Sequence, residues 1–217
     1  MRLYVMDCSP FENAENRDIA AAAIGTQRML KIQGLRDTQK QAQCAAAGWM
    51  LTHLFGDAYP PALTHDSRGK PYLADNSGRY FSLSHTGRWV FCAVDTCELG
   101  LDAQLQQKNR PAVAARCFTA DEQTWLQAAP DERFTLLWTA KEAYVKYTGF
   151  GLVLPLHSFS VPGPAQGYDR ANHCYWHSET RTLGEETVCI TLCSEKAIQT
   201  PVWTQLTYQI PSVGNRS

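Results

Sequence analysis

The sequence predicts an α+β protein made of two successive units, each with a few helices packed on a small, mostly antiparallel sheet. Three observations carry this. Strand-like runs come in hairpin order instead of alternating singly with helices. Two helices are strongly marked, one early and one late. The pattern of helix and strand signals restarts after residue 103, which divides the chain into 1–103 and 104–217. At 217 residues, 44% hydrophobic and 19% charged, the chain has ordinary globular proportions. A chain of this size buries roughly 70% of its unfolded surface and needs no disulfide or structural metal to fold.

In chain order, Arg2–Met6 reads as an opening strand. Ser9-Pro10 predicts a helix start, with Pro at the first helical position and an Ala-rich helix to about Ala23. Asp37 caps a stronger helix, in which Ala42, Ala45, Ala46, Trp49, Met50 and Leu54 form one apolar stripe and Gly56 ends the run. Residues 57–76 are turn-rich and contain Arg68-Gly69-Lys70-Pro71. Tyr80–Ser84 and Trp89–Asp95 read as strands joined by the turn His85-Thr86-Gly87-Arg88, and Glu98–Asp102 as a third strand paired back on them. Pro111 opens a short helix, and Thr119-Ala120-Asp121-Glu122 is a capping box opening another. Pro130 precedes a long amphipathic helix over about 131–147, ended by Gly149. Ser158–Val161, Cys174–His177, Val188–Leu192 and Val202–Tyr208 complete the strand-like runs.

Several function classes are excluded at this level. Apolar runs such as Val90–Val94 fall far short of the ~18 residues of a membrane span. The opening MRLYVMDCSP lacks the ~7–15 apolar residues of a signal-peptide core, so a cytoplasmic protein with no membrane partner is expected. A net charge of −1 argues against wholesale nucleic-acid binding. No glycine-rich dinucleotide or Walker loop is present. The eight cysteines (8, 44, 92, 97, 117, 174, 189 and 193) are expected to be reduced thiols. Zinc on His173, His177, Cys189 and Cys193 is not expected, because four residues along a strand span about 13 Å. Zinc–sulfur bonds are only ~2.3 Å long.

The residues out of place are charged. On the helix 131–147, Lys141 falls in the middle of an apolar arc made by Phe134, Leu137, Trp138, Tyr144 and Val145. Glu142 and Lys146 run along its edge at i, i+4 spacing. These could be an ordinary surface ion pair beside a lysine reaching to water. Asp102, however, ends an otherwise apolar strand, two residues after Gly100, a position that allows close approach of ligand or backbone. Two carboxylates with lysine neighbours suit a magnesium-bridged phosphate better than a cysteine–histidine metal. Arg28, Lys31, Arg36 and Lys40 cluster against Asp37 alone, which by itself describes a solvated face. Ser84 and His85 precede a glycine turn, where both could face a ligand at the sheet edge.

Taken in order, Gly69-Lys70-Pro71, then Phe81-Ser-Leu-Ser-His85 with Thr86-Gly-Arg-Trp-Val90, then Leu99-Gly-Leu-Asp102, then Leu137-Trp-Thr-Ala-Lys-Glu-Ala-Tyr-Val-Lys146 resemble 4′-phosphopantetheinyl transferases of the surfactin-synthetase-activating type. Leu154–Ser160 resembles the segment that follows in that family, and the likeness covers about residues 66–161. It implies a pseudo-twofold fold of two α+β halves with the active site between them. It also implies transfer of the phosphopantetheine arm of coenzyme A to a serine of an apo acyl or peptidyl carrier protein, releasing 3′,5′-ADP. By the same resemblance Asp102 and Glu142 bind Mg²⁺, while Lys70, Ser84, Lys141 and Lys146 contact coenzyme A phosphates. His85 helps hold the 3′-phosphate, with Arg28 and Lys31 as further candidates.

The residue types agree with that chemistry. A metal on a pyrophosphate neutralises charge and orients in-line attack, and lysines hold the departing phosphate. Glu142 is the first choice for general base, directly or through a metal-bound water, with Lys146 as its catalytic companion. Gln104 departs from the family, many of whose members carry Glu there. Its amide oxygen is a weaker ligand than a carboxylate, so weaker Mg²⁺ binding is expected, with water assisting. That same residue keeps open a catalytically impaired paralogue that binds coenzyme A or a carrier protein; a second alternative is a magnesium-dependent pyrophosphohydrolase using the same two acids. Two halves in one chain would supply the cleft, so a monomer is expected.

Overall fold

A computed structural model describes residues 1–56, 60–163 and 166–209. Strand β1 (Arg2–Asp7) is followed by a 3₁₀ turn and three short helices, α1 (Ala14–Ile19), α2 (Ala21–Ile24) and α3 (Thr26–Gln33). The long helix α4 (Thr38–Phe55) begins at Asp37, whose carboxylate accepts the Lys40 N–H at 3.1 Å. A two-stranded hairpin, β2 (Leu63–His65) and β3 (Pro71–Leu73), leads into β4 (Tyr80–Thr86), β5 (Trp89–Asp95) and β6 (Leu99–Leu105). Next come α5 (Pro111–Cys117), α6 (Ala120–Gln127) and α7 (Pro130–Thr148), then β7 (Gln166–Asp169), β8 (Cys174–Leu183), β9 (Glu186–Ser194) and β10 (Val202–Leu206).

The strands form two four-stranded sheets, ordered β10-β1-β5-β4 and β6-β9-β8-β7. All pairings are antiparallel except that of β10 with β1. One core lies where the two sheets face each other, with Leu3, Val5 and Phe91 against Leu101, Ile190 and Leu192. Helix α4 covers the outer face of the first sheet, and α7 lies across β6 and β9 on the second. The result is helix, sheet, sheet, helix, the layering by which amphipathic elements bury their apolar faces. No described helix is long and apolar enough to cross a membrane.

Four features differ from the sequence reading. Ser9-Pro10 gives only the 3₁₀ turn Ser9–Glu12, and Asn13 instead caps α1 through its side chain. Gly25, at φ +88°, separates α2 from α3; a Cβ there would fall 2.7 Å from Pro60 Cγ. The strand expected over Glu98–Asp102 does not pair back on β5, because both edges of β5 are occupied by β1 and β4; it pairs with β9. The sheets therefore do not divide the chain at 103/104: β6 joins the second sheet from Leu99 onward, and β10 returns to the first. Finally, the run Ser158–Val161 is not a strand, since a 3₁₀ turn covers Leu156–Ser158 and the Phe159 carbonyl is taken by Lys141.

Candidate active site

The seam between the sheets is made by side chains. On β4, Ser82, Ser84 and Thr86 alternate, so all three hydroxyls point the same way. They accept the N–H groups of Leu101 (3.0 Å), Ala103 (3.1 Å) and Leu105 (2.9 Å) on β6. These hydroxyls satisfy backbone donors that the edge strand β6 would otherwise leave unpaired. Helix α7 approaches β6 at Gly100, where a Cβ would lie 2.0 Å from the Ala143 carbonyl oxygen and 2.4 Å from the Tyr147 nitrogen. Only glycine permits that crossing, and the object that approaches it is the helix backbone.

Asp102 is two residues further along β6, on the same face. It is 3% exposed, and its Oδ1 is engaged by two donors. Ser84 Oγ donates to its Oδ1 at 2.8 Å, and Lys146 Nζ, from α7, donates to the same oxygen at 2.8 Å. Lys146 also donates to Ser84 Oγ (3.1 Å) and to the Leu83 carbonyl (3.2 Å). Gln104 Nε2 is 3.5 Å from Asp102 Oδ2. Glu142, one helical turn before Lys146, is half-buried, and among the described residues Lys146 pairs with Asp102 and not with it. Burial, and then the negative charge of Asp102, raise the Glu142 carboxyl above its ordinary range, with Lys146 opposing. Desolvation by its neighbours, and then the charge of Lys146, hold the solvent-reaching imidazole of His85 below its usual value.

Two openings flank this cluster. A cavity of about 260 Å³ lies between the Arg68–Pro71 turn, Phe81–Leu83 and the end of α7, with Lys146 in its wall. Another, of about 240 Å³, is walled by Gln104, Phe134, Thr135 and Trp138. A third and larger groove, about 880 Å³, runs between α2–α3 and residues 60–65 and carries Arg28 and Lys31. The stem of Arg28 lies over Gly48, where a Cβ would fall 2.5 Å from Arg28 Cδ.

The structure thus brings together Asp102, Glu142, Gln104, Ser84 and Lys146, with His85 next to Ser84 on β4, while Arg28 and Lys31 line the separate large groove. Three of the expected coenzyme A contacts are engaged within the fold. Lys141 is completely buried: its ammonium pairs with Glu122 Oε2 at 2.8 Å and donates to the carbonyls of Leu156 (2.8 Å) and Phe159. Lys70 spends its three N–H bonds on Glu98 Oε2 (2.6 Å), the Tyr147 carbonyl (2.9 Å) and the Leu99 carbonyl (3.3 Å), clamping the hairpin turn to the C-terminal end of α7. Ser84 has its single proton on Asp102, and it faces away from His85, because neighbouring strand residues point to opposite sides.

Sequence reasoning missed Ser82, Thr86, Glu98 and Glu122. The alternating hydroxyls of β4 were a readable signal. Glu122 was hidden by its own capping box, in which it accepts the Thr119 N–H at 2.8 Å, while its other oxygen accepts the Val161 N–H at 2.7 Å.

The candidate ligands are the carboxylates of Asp102 and Glu142 and the amide of Gln104, whose nitrogen is the atom turned to Asp102 here. Among the described residues no group of three or more His, Cys, Asp or Glu gathers. Two acids sharing one field, beside an amide and a lysine, fit a hard divalent cation such as Mg²⁺ and do not fit zinc.

Residues 98–193, from the start of β6 to the end of β9, match the 4′-phosphopantetheinyl transferase superfamily. Over 97 residues the chain is 41% identical to the 4′-phosphopantetheinyl transferase Sfp of Bacillus subtilis, covering 43% of each protein. It is 39% identical over 100 residues to the transferase psf-1 of Bacillus pumilus, covering 44% of this chain and 43% of that one. It is 39% identical over 98 residues to HetI of Nostoc, covering 41% of each. The chain thus matches less than half the length of these curated relatives. Within that span lie Asp102, Glu142 and Lys146, and the resemblance read from the motifs is borne out.

Proposed function

We propose that the protein transfers the 4′-phosphopantetheine arm of coenzyme A to a serine hydroxyl of an apo acyl or peptidyl carrier protein, releasing 3′,5′-ADP. The observation that carries this is the meeting of Asp102 and Glu142, from β6 and α7, with Lys146 beside them, in a segment similar to known transferases of this chemistry. In the reaction the carrier serine oxygen attacks the phosphorus bearing the pantetheine. The phosphoanhydride bond to the nucleotide breaks, and the serine proton leaves with a base.

Asp102, Glu142 and Gln104 would hold Mg²⁺, which supplies charge neutralisation at the pyrophosphate. Glu142, whose carboxyl is raised by burial and by the charge of Asp102, suits the role of proton acceptor. Lys146 has a flexible stem in the wall of the 260 Å³ cavity, suited to meeting a phosphate there. One opening beside Lys146 and another beside Gln104 suit a reaction that brings two substrates to one centre. His85, Lys31 and Arg28 are offered as contacts of the nucleotide end. Lys70 and Lys141 act through the fold and are not offered as phosphate ligands.

The test is to incubate the protein with coenzyme A, Mg²⁺ and a panel of apo carrier proteins and weigh the carriers. A phosphopantetheine mass gain on at least one carrier is expected. Coenzyme A binding without any mass gain would instead favour an impaired paralogue, and nucleotide release without a carrier would favour a pyrophosphohydrolase.

A further inference from the structure

We propose that Lys146 opposes cation binding at Asp102, so that a divalent cation is held tightly only when an anion in the adjoining cavity draws the lysine away. The chemical class of that anion, a pyrophosphate, rests on the proposed function; the competition at Asp102 does not. The starting point is occupancy. Asp102 Oδ1 already accepts two hydrogen bonds, from Ser84 and from Lys146, each at 2.8 Å. A cation bound to this carboxylate would face an ammonium at hydrogen-bonding range, on a residue 3% exposed where little water intervenes.

Lys146 has an alternative position. Its side chain is 31% exposed, and its stem lines the 260 Å³ cavity between the hairpin turn and the end of α7. Besides Asp102 Oδ1, it is held to the seam by the Leu83 carbonyl and Ser84 Oγ, both neutral acceptors at 3.1–3.2 Å. An anion in the cavity offers a stronger partner within reach of a flexible four-carbon stem. Moving the ammonium there leaves Asp102 to the cation. Binding of the two ligands is thereby coupled, and by linkage each strengthens the other by the same factor.

Mn²⁺ affinity of the full chain, measured from the free-ion electron spin resonance signal with and without coenzyme A, tests this without any transfer assay. For the unaltered protein, coenzyme A is expected to tighten Mn²⁺ binding by about tenfold, inside the roughly 5–150-fold range of coupled sites. Lys146→Met should bind Mn²⁺ about tenfold more tightly without coenzyme A, and most of the gain on adding it should vanish. Lys146→Gln should behave alike, which covers a folding failure of the Met variant, while Lys146→Arg should keep the weak binding of the parent. Neutral variants that bind Mn²⁺ no more tightly than the parent overturn the proposal. A protein that shows the competition but modifies no carrier would leave this inference standing and remove the proposed function; transfer without the competition would do the reverse.

Discussion

Ser84 on β4 donates its hydroxyl proton to Asp102 on β6 at 2.8 Å, across the seam where the two sheets meet. The same oxygen accepts the Ala103 N–H and a Lys146 N–H. One donor and two acceptor sites exhaust a hydroxyl. Ser84 therefore holds the strand, the acid and the lysine in one geometry. Ser84→Ala leaves the Ala103 N–H unpaired and Asp102 short of a donor, which should cost about 1–3 kcal/mol in urea unfolding. Transfer should fall through kcat more than through the KM for coenzyme A; a selective rise in KM would return Ser84 to the role of a phosphate contact.

Glu142 is destabilised as an anion. Its folded value is raised by burial and by Asp102, so the native protein keeps this proton at pH values where the unfolded chain has lost it. Its contribution to stability is therefore greatest at low pH and declines as pH climbs from the ordinary carboxylate value through the raised one. In cation-free buffer, Glu142→Gln should have a higher Tm than the parent at pH 7, an equal one near pH 4, and no transfer activity. A lower Tm for the variant at pH 7 would contradict the shared field of the two acids.

Gln104→Glu adds a third carboxylate beside Asp102, two residues along the same strand face. With a chelator present, like-charge repulsion should lower the Tm of this variant. With Mg²⁺ present, the order should reverse and the cation affinity should exceed that of the parent. An unchanged affinity would remove Gln104 from the cation site.

Lys141→Met breaks a fully buried ion pair and leaves Glu122 facing only backbone donors. Removing one partner of such a pair costs about 3–5 kcal/mol. Urea unfolding should register that loss, and Glu122→Gln combined with Lys141→Met should recover part of it. A loss below about 1 kcal/mol would describe an exposed pair and contradict the burial.

Much of this was legible where the signal is local. Asp37, Pro130 and Gly149 bound their helices as capping chemistry requires, and Thr119 with Glu122 forms the capping box its spacing predicts. The β4–β5 hairpin follows from its glycine turn. Strand partners over long separations were not legible, because alternation in Leu99–Leu105 says that one face is buried but not against which edge. The pairing of β6 with β9, and the return of β10 to β1, are of that kind. Lys141 is similar: its place in an apolar arc announced burial, while its partner Glu122 lay in another helix. Asp102 and Glu142 were legible as misplaced acids, but the diversion of Lys146 from Glu142 to Asp102 needed the tertiary crossing at Gly100.

Anomalous scattering from crystals grown with Mn²⁺ and coenzyme A tests most directly whether Asp102 and Glu142 hold one cation between the sheets and α7. The expected result is a single peak about 2.1 Å from an oxygen of each carboxylate, as hard-cation coordination requires. A peak touching only one of them, or lying elsewhere in the cleft, would contradict it.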